Sequence, residues 1–411
     1  MHLKRAIRWL PCCVAVLLLT SLLIACSNSS SPSDLADLDR WVAELDLHVG
    51  SIDDPDYSLT WFRTLAVSEA GRIYTVHGQE QLVRVFEPDG TLYKTLGGRG
   101  EGPGEFQNVG PIGWVADTLW VLDFSLYRFN LFSEDGEFIY SFTVPFGSRE
   151  GPDQPQPPRA SGLLTDGTVH GAPPAFSSQI EDGTITHHQV LLMSRDGEVT
   201  DSAASIPFGN NQWAVYDHDE PQKGMLFGRQ PYGDGPLWGF LPEERALAIL
   251  DREAPARPED SQFRLLKLSL TGDTIFFREY LYLPVPLTKE ETDSTLDHQV
   301  DQWAEYNVMG GVTAARLRTW AEPELYTPAY WPPITQMVIG MDGGYWLRGR
   351  PDVGETVEWY VLDSSGVPRG RVDLPVSFQM FAAESNMVWG TETDDLDVPY
   401  LLRFSIDHGS G

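Results

Sequence analysis

Five stretches of this chain share one design: an apolar run, a turn containing glycine, and a second apolar run. They are "LVRVFEPDGTLYKTL" (82–96), "YRFNLFSEDGEFIYSF" (127–142), "HQVLLMSRDGEVTDS" (188–202), "FRLLKLSLTGDTIFFREY" (263–280) and "EWYVLDSSGVPRGRVDL" (358–374). Three carry Asp-Gly in the turn, at Asp89-Gly90, Asp135-Gly136 and Asp196-Gly197. Asp and Gly tolerate the positive φ that a tight hairpin requires, so the pattern predicts antiparallel hairpins by mechanism. A shorter hairpin precedes each stretch, at 65–76, 112–123, 162–171, 237–250 and 337–348. Two linked hairpins make a four-stranded antiparallel sheet, the unit from which a β-propeller is built by radial repetition. The turn glycines Gly90, Gly136, Gly197, Gly272 and Gly366 are unevenly spaced, which predicts insertions between blades.

The sixth repeat is short of one strand. "FQMFAAESNMVWGTE" (378–392) and "PYLLRFSID" (399–407) supply three strands before the chain ends. "RWVAELDLHV" (40–49), which alternates apolar and polar residues, can supply the fourth and remove the free sheet edge that would otherwise invite aggregation. The expected fold is therefore all-β, a six-bladed propeller of four-stranded antiparallel blades closed by an N-terminal strand.

"LGGRGEGPGEF" (96–106) invites a phosphate-binding reading, and its residues exclude it. Gly97 and Gly102 have P-loop spacing, but Pro103 follows where the phosphate-binding lysine belongs. Gly98 and Gly100 begin a dinucleotide fingerprint, and Pro103 again stands where its third glycine should be. Glu101 and Glu105 would repel a phosphate. The segment instead fits a connector between two sheets. "GRGEGPGEF" followed by "LWVLDFSLYRFNLFSEDGEF" resembles the NHL-type six-bladed propellers, especially the bacterial secreted proteins known as six-bladed β-propeller proteins. The resemblance covers about residues 40–407. It implies that the glycines carry the chain from an outermost strand to the next innermost one, that Phe106 plugs into the core between blades, and that Asp123 and Arg128 form a structural pairing.

The N-terminus reads as an export signal. His2, Lys4, Arg5 and Arg8 precede an apolar run from Val14 to Ala25, too short for a comfortable membrane span. Leu23-Ile24-Ala25-Cys26 resembles a bacterial lipobox, which implies lipidation at Cys26 and, with Ser27 following, the outer membrane of a Gram-negative host. The expected organisation is a signal peptide over 1–25, a flexible tether over 26–39 and a propeller body over 40–407, in the cell envelope. Cys12, Cys13 and Cys26 are the three cysteines, so the body has no thiol for disulfides, zinc or catalysis. A net charge of −30 argues against nucleic acid and anionic headgroups as partners, which leaves the lipid as the membrane contact. The body is expected to be a monomer.

Function in such a ring is expected from loops at the mouth of its channel. Two insertions exceed what connection requires: the Pro-rich 145–159, and about 287–333 between blades four and five. In the second, Thr288 and Glu291 have capping-box spacing, and Leu296, Val300, Trp303 and Asn307 share a helical face. A second helix is expected within 312–320. Trp303, Arg316, Arg318, Trp320, Tyr330 and Trp331 are the candidate ligand-binding residues, since aromatic and cationic groups together make a good ligand wall. The preferred reading of the insertion is nevertheless a packed spacer whose Trp and Tyr bury it against the sheet, since most apolar stripes are core, with the ligand-contacting lid as the alternative. His187 and His188 alternate to opposite faces and cannot share a metal. The preferred function is an anchored binding or scaffold module without catalysis and without a cofactor, its partner a small molecule, a glycan or an envelope protein. The enzymatic alternative is a calcium-dependent lactonase or esterase, resembling gluconolactonase or paraoxonase. Those use carboxylates and asparagines around a channel calcium, and here only Asn108 and Asn386 fall near inner strands.

Overall fold

All five expected turn glycines adopt positive φ, from +73° at Gly136 to +88° at Gly272, and each closes a hairpin. The computed structural model describes residues 33–409, except 36, 55, 61–63, 147–156, 174–185, 217–224, 307–310 and 352–353. The expected signal (1–25) and the lipidation site Cys26 lie outside the described residues.

Two strands lead in, β1 (Ser33–Asp34) and β2 (Arg40–Val49). The first four-stranded unit follows: β3 (Leu65–Val67), β4 (Ile73–His77), β5 (Leu82–Phe86) and β6 (Leu92–Gly97). The second is β7 (Val109–Val115), β8 (Thr118–Asp123), β9 (Arg128–Ser133) and β10 (Phe138–Thr143). The third is β11 (Arg159–Leu163), β12 (Val169–Ala172), β13 (His187–Met193) and β14 (Val199–Pro207). A separate two-stranded hairpin, β15 (Gln212–Tyr216) and β16 (Met225–Arg229), precedes the fourth unit of β17 (Leu237–Leu241), β18 (Ala246–Asp251), β19 (Gln262–Ser269) and β20 (Thr274–Leu281). Helices α1 (Lys289–Glu305) and α2 (Ala314–Ala321) come next. The last strands are β21 (Gln336–Ile339), β22 (Tyr345–Pro351), β23 (Thr356–Leu362), β24 (Pro368–Pro375), β25 (Gln379–Glu384), β26 (Met387–Thr393) and β27 (Pro399–Asp407).

This is a β-propeller of four-stranded antiparallel blades. Strands β21 to β27 and β2 form one eight-stranded sheet, ordered β21-β22-β23-β24-β2-β27-β26-β25. Its two halves are each antiparallel and are joined only by a short parallel contact, Arg40–Arg371 and Trp41–Val372. Strand β2 runs antiparallel to β27 from Val42–Asp407 to Val49–Leu401, so the chain's two ends share a sheet. Apolar cores lie between successive units. Val83, Val85 and Phe106 meet Leu119, Val121 and Phe132, while Trp41, Trp346 and Trp359 meet Phe378, Val388 and Phe404.

The expected tether, 26–39, is described only from Ser33 onward, and that part runs along the body. Ser33 and Asp34 pair in parallel with Tyr280 and Leu281 on the outer edge of β20, and Leu35 is buried among Phe263 and Tyr280. Arg371 then receives the segment, its backbone N–H donating to the Asp39 carbonyl and its Nε to the Leu38 carbonyl.

The glycine-rich connector behaves as its composition requires. Gly97 has φ +80°, and a Cβ there would run into the Phe106 ring, which is completely buried. Asp123 and Arg128 sit opposite each other on β8 and β9 but do not bond through their side chains as the resemblance implied. Each holds backbone instead. The Asp123 carboxylate accepts from the N–H groups of Gln107, Asn108, Ser125 and Leu126. Arg128 donates to the carbonyls of Glu101, Gly102 and Glu105. A carboxylate takes donors and a guanidinium takes acceptors, so between them they satisfy both polarities of a loop that pairs with no strand.

Candidate functional site

In an antiparallel unit running from first to fourth strand, the 1–2 and 3–4 turns lie on one rim. The 2–3 turns and the unit-to-unit connections lie on the other. The strand ends that flank the long connections 50–64, 144–158, 173–186, 208–236 and 282–335 all lie on this second rim. The elaborated rim is the candidate functional face.

The two large connections fold together. Thr288 caps α1: its Oγ1 accepts from the Glu291 N–H, and Glu291 returns a carboxylate to the Thr288 N–H at 2.8 Å. Leu296 and Val300 on α1, with Leu317, Trp320 and Ala321 on α2, bury Trp213 and Val215 of the β15–β16 hairpin. The result is a small satellite core outside the ring. The Trp213 and Trp303 rings lie 5.2 Å apart within it.

A buried polar network fixes this satellite to the ring. Asp234 accepts from Asn210 Nδ2 (3.0 Å), the Ala254 N–H (3.1 Å) and the Tyr326 hydroxyl (2.7 Å). Arg252 donates to the Ile334 carbonyl (2.8 Å) and to Asn211 Oδ1 (2.9 Å). Burial draws the Arg252 pKa down to about 10, with Asp234 acting against it, so the guanidinium stays charged at neutral pH. Gln230 accepts from the Tyr326 N–H and donates to the Glu324 carbonyl, tying the hairpin to the segment that leaves α2.

Between this satellite, the fourth unit and β22–β24 lies a cleft of about 430 Å³. Trp331, Tyr282 and Tyr360 give it aromatic walls, Arg350, Arg371 and Glu358 bring charge, and Leu35 closes its N-terminal side. The Arg350 guanidinium stands 5.5 Å from the centre of the Trp331 ring and 3.4 Å from Glu291. Burial works against the Glu291 carboxylate, but the Thr288 hydrogen bonds and the Arg350 charge hold it below its ordinary range. The Tyr232 ring meets Trp331 edge-on at 4.8 Å, with its hydroxyl 2.7 Å from Thr295 Oγ1. Glu358 is held by Arg371 at 3.2 Å and Arg40 at 3.3 Å. The Tyr282 hydroxyl is buried without a partner, and burial raises its pKa. The cleft therefore offers flat apolar surface and two ion-paired guanidinium groups, a set suited to holding a ligand in place.

Of the six candidate residues, Trp331 lines this cleft. Trp303 and Trp320 pack in the satellite core, Trp320 being 7% exposed. Arg318 is ion-paired with Asp297 and lies 3.9 Å from Asp293. Arg316 is exposed, its guanidinium 5.2 Å from the Trp320 ring centre. Tyr330 forms an isolated bridge with Pro286 at the base of the insertion. Asn307 and residues 147–156 of the Pro-rich insertion lie outside the described residues. Arg350, Arg371, Tyr282 and Tyr360 escaped the sequence analysis, as did the β15–β16 hairpin. The signal for the arginines was a repeated Arg-Gly-Arg, at 348–350 and 369–371, whose second arginines both reach the cleft.

For the calcium alternative, the Asn108 backbone N–H is bonded to Asp123 and Asn386 is exposed in the β25–β26 turn. Among the described residues, no group of three or more His, Cys, Asp or Glu side chains is placed to hold a metal ion. His187 is exposed, whereas His188 packs on Phe208 at 4.0 Å.

No protein-family model matches the chain, and no curated protein matches it. Solved structures similar to it include virginiamycin B lyase from Staphylococcus aureus, at 10% identity over 88% of this chain and 99% of that one, with a TM-score of 0.41. A member of the DUF4221 family from Bacteroides vulgatus shares 13% identity over 89% of this chain and 98% of its own, with a TM-score of 0.46. A putative exported protein from Bacteroides fragilis shares 9% over 89% and 95%, with a TM-score of 0.45. These are bacterial β-propeller proteins, and the likeness is one of fold.

Proposed function

We propose that the protein is a lipid-anchored, extracytoplasmic six-bladed propeller that binds a glycan or an envelope protein, with the 430 Å³ cleft as its binding site. The count of six rests on reading the halves of the eight-stranded sheet as separate units with a core between them. It is supported by the core that joins Leu47, Val49 and Leu401 to Leu65, Ile73 and Phe86. The anchor at Cys26 is carried by the lipobox resemblance.

The observation that carries the binding reading is the composition of the cleft. It combines exposed-rim position, aromatic walls and two arginines, and it is bounded by rigidly tied insertions. Catalysis is not part of the reading, because the cleft presents no nucleophile bonded to a base.

The test is thermal melting of the full chain in detergent against fractionated envelope glycans and proteins. A ligand that binds only the folded state raises the melting temperature by mass action. The shift should disappear in Arg350→Ala and Trp331→Ala. A shift that survives in both variants would place the ligand elsewhere.

A further inference from the structure

The outer strand β20 and the segment that leaves it carry a stripe of apolar side chains open to solvent. Successive side chains of a strand point to opposite faces. Phe276, Tyr280 and Tyr282 turn inward and pack in the core shared with Tyr345 and Leu347 of β22. Ile275, Phe277, Leu281, Leu283 and Val285 turn the other way, and each is exposed, Leu283 by 79%. Glu279 interrupts this series, and Arg264 pairs with it at 3.2 Å. Over 274–287 the charged residues are Arg278 and Glu279, of opposite sign, in a chain of net charge −30. A contiguous exposed apolar series marks a contact surface.

The chain itself indicates what that surface meets. Ser33 and Asp34 pair with Tyr280 and Leu281 of this same strand, and Leu35 is buried beside them. Arg371 holds the carbonyls of Leu38 and Asp39, so the docked segment is fixed at both ends. Residues 27–32 are all that separate Ser33 from Cys26, so the lipid site stands no more than about 25 Å from this strand even with the chain fully extended. The second unit offers a contrast. Its outer strand β10 exposes Phe138, Ile139 and Tyr140, but Glu134, Asp135 and Glu137 stand beside them and no tether docks there.

We propose that the exposed face of β20 rests in the interfacial layer of the bilayer, as a second membrane contact besides the lipid. The proposal rests on the lipid anchor of the preceding reading. A lipid alone leaves the body free to turn on its tether, whereas a lipid and an apolar stripe on one strand hold it in one orientation. The near-neutral charge of 274–287 keeps the acidic body from opposing this approach. Leu283 and Val285 also line the cleft, which then opens beside the membrane surface.

The full chain, purified from the membranes of a lipidating bacterial host and reconstituted in phosphatidylcholine nanodiscs, tests this. Ile275→Cys and Ile139→Cys each supply one thiol for a fluorescent probe, and the two isoleucines are equally exposed, at 49%, on different outer strands. Spin-labelled lipid should quench the probe at 275 at least about threefold more than the probe at 139. Phe277→Glu with Leu283→Glu should cut quenching at 275 by about threefold or more and leave the melting temperature unchanged, because both side chains are exposed. Equal quenching at the two positions, no quenching at 275, or quenching that survives the two glutamates would each overturn the proposal. Shielding of the 275 probe from an aqueous quencher without quenching by lipid would give the stripe to a protein partner, and would overturn it as well. Thiol labelling of the wild type reports the anchor separately, since a lipidated Cys26 with its leader removed leaves no free thiol. A labelled wild type defeats the anchor and the proposal together. An unlabelled wild type with no quenching at 275 defeats the proposal alone.

Discussion

The connection from the first unit to the second and the connections on either side of the fourth unit perform the same topological task by opposite means. The first takes 98–108 and solves the crossing with backbone: positive-φ glycines, one buried Phe and the clamps of Asp123 and Arg128. The others take 208–236 and 282–335 and solve it with side chains, through a helix pair and a hairpin that bury one another. Both keep one carboxylate and one arginine as anchors, Asp123 with Arg128 in one case and Asp234 with Arg252 in the other. A short crossing leaves no room for a ligand, because each residue is needed to complete the bend. A long one builds its own core and, where that core meets the ring, leaves a cleft.

The sharpest way to break this comparison is at Gly97. Gly97→Val would force a β-branched residue into φ +80° and drive it into Phe106, costing on the order of 4 kcal/mol. Gly311→Ala, at φ +90° but with open space around the added Cβ, should cost only about 1 kcal/mol. Chemical denaturation of both variants checks the difference, and equal losses would remove the distinction between a crowded crossing and an open one.

Trp320→Ala should cost about 3 kcal/mol, and the loss should stay within the satellite. Helical circular dichroism should melt at a lower temperature while the sheet signal stays put. A single shared transition would show that the satellite and the ring fold as one unit.

The most gradual expected effect concerns acid. His77 is fully buried in the first unit, its Nδ1 2.9 Å from Thr60 Oγ1 and its Nε2 2.9 Å from Thr75 Oγ1. Burial, followed by the nearby Arg84 charge, lowers its pKa to about 3. The unfolded chain therefore takes the proton first, at the ordinary value near 6.5. The stability contributed by neutral His77 is complete above about pH 6.5 and is lost as pH falls toward 3, by roughly 1 kcal/mol per pH unit. His170, held at about 4 by burial, adds to the same slope in the wild type. Replacing His77 by Gln should flatten the melting-temperature profile across this window. An unchanged slope would assign acid sensitivity to other groups.

The ring was legible in the sequence because each unit is local. Hairpin turns, alternating runs and Asp-Gly pairs act over a few residues, and the five paired hairpins appear where those patterns put them. The Thr288–Glu291 cap was legible for the same reason. The site was far less so. Trp303 and Trp320 left two readings open, ligand wall or packed spacer, because an aromatic stripe looks the same whether it faces a ligand or a partner element. The partner was the β15–β16 hairpin, about a hundred residues earlier in the chain, and neither "QWAVY" nor "MLFGR" announces that it will be covered by helices.

The amino-acid sequence alone determined the repeat, its turns, the glycine crossing at 97–106 and the strand held back at 40–49 to close the sheet, since periodicity and backbone chemistry are properties of neighbours in the chain. Only the tertiary structure decided which aromatics would be core and which would line a cavity. It also brought Arg350, Arg371 and Glu358 to one cleft, and Ser33 and Asp34 to the edge of β20. Burial and electrostatic fields depend on what packs against a residue, and in a closed ring that neighbour is as often distant in sequence as adjacent.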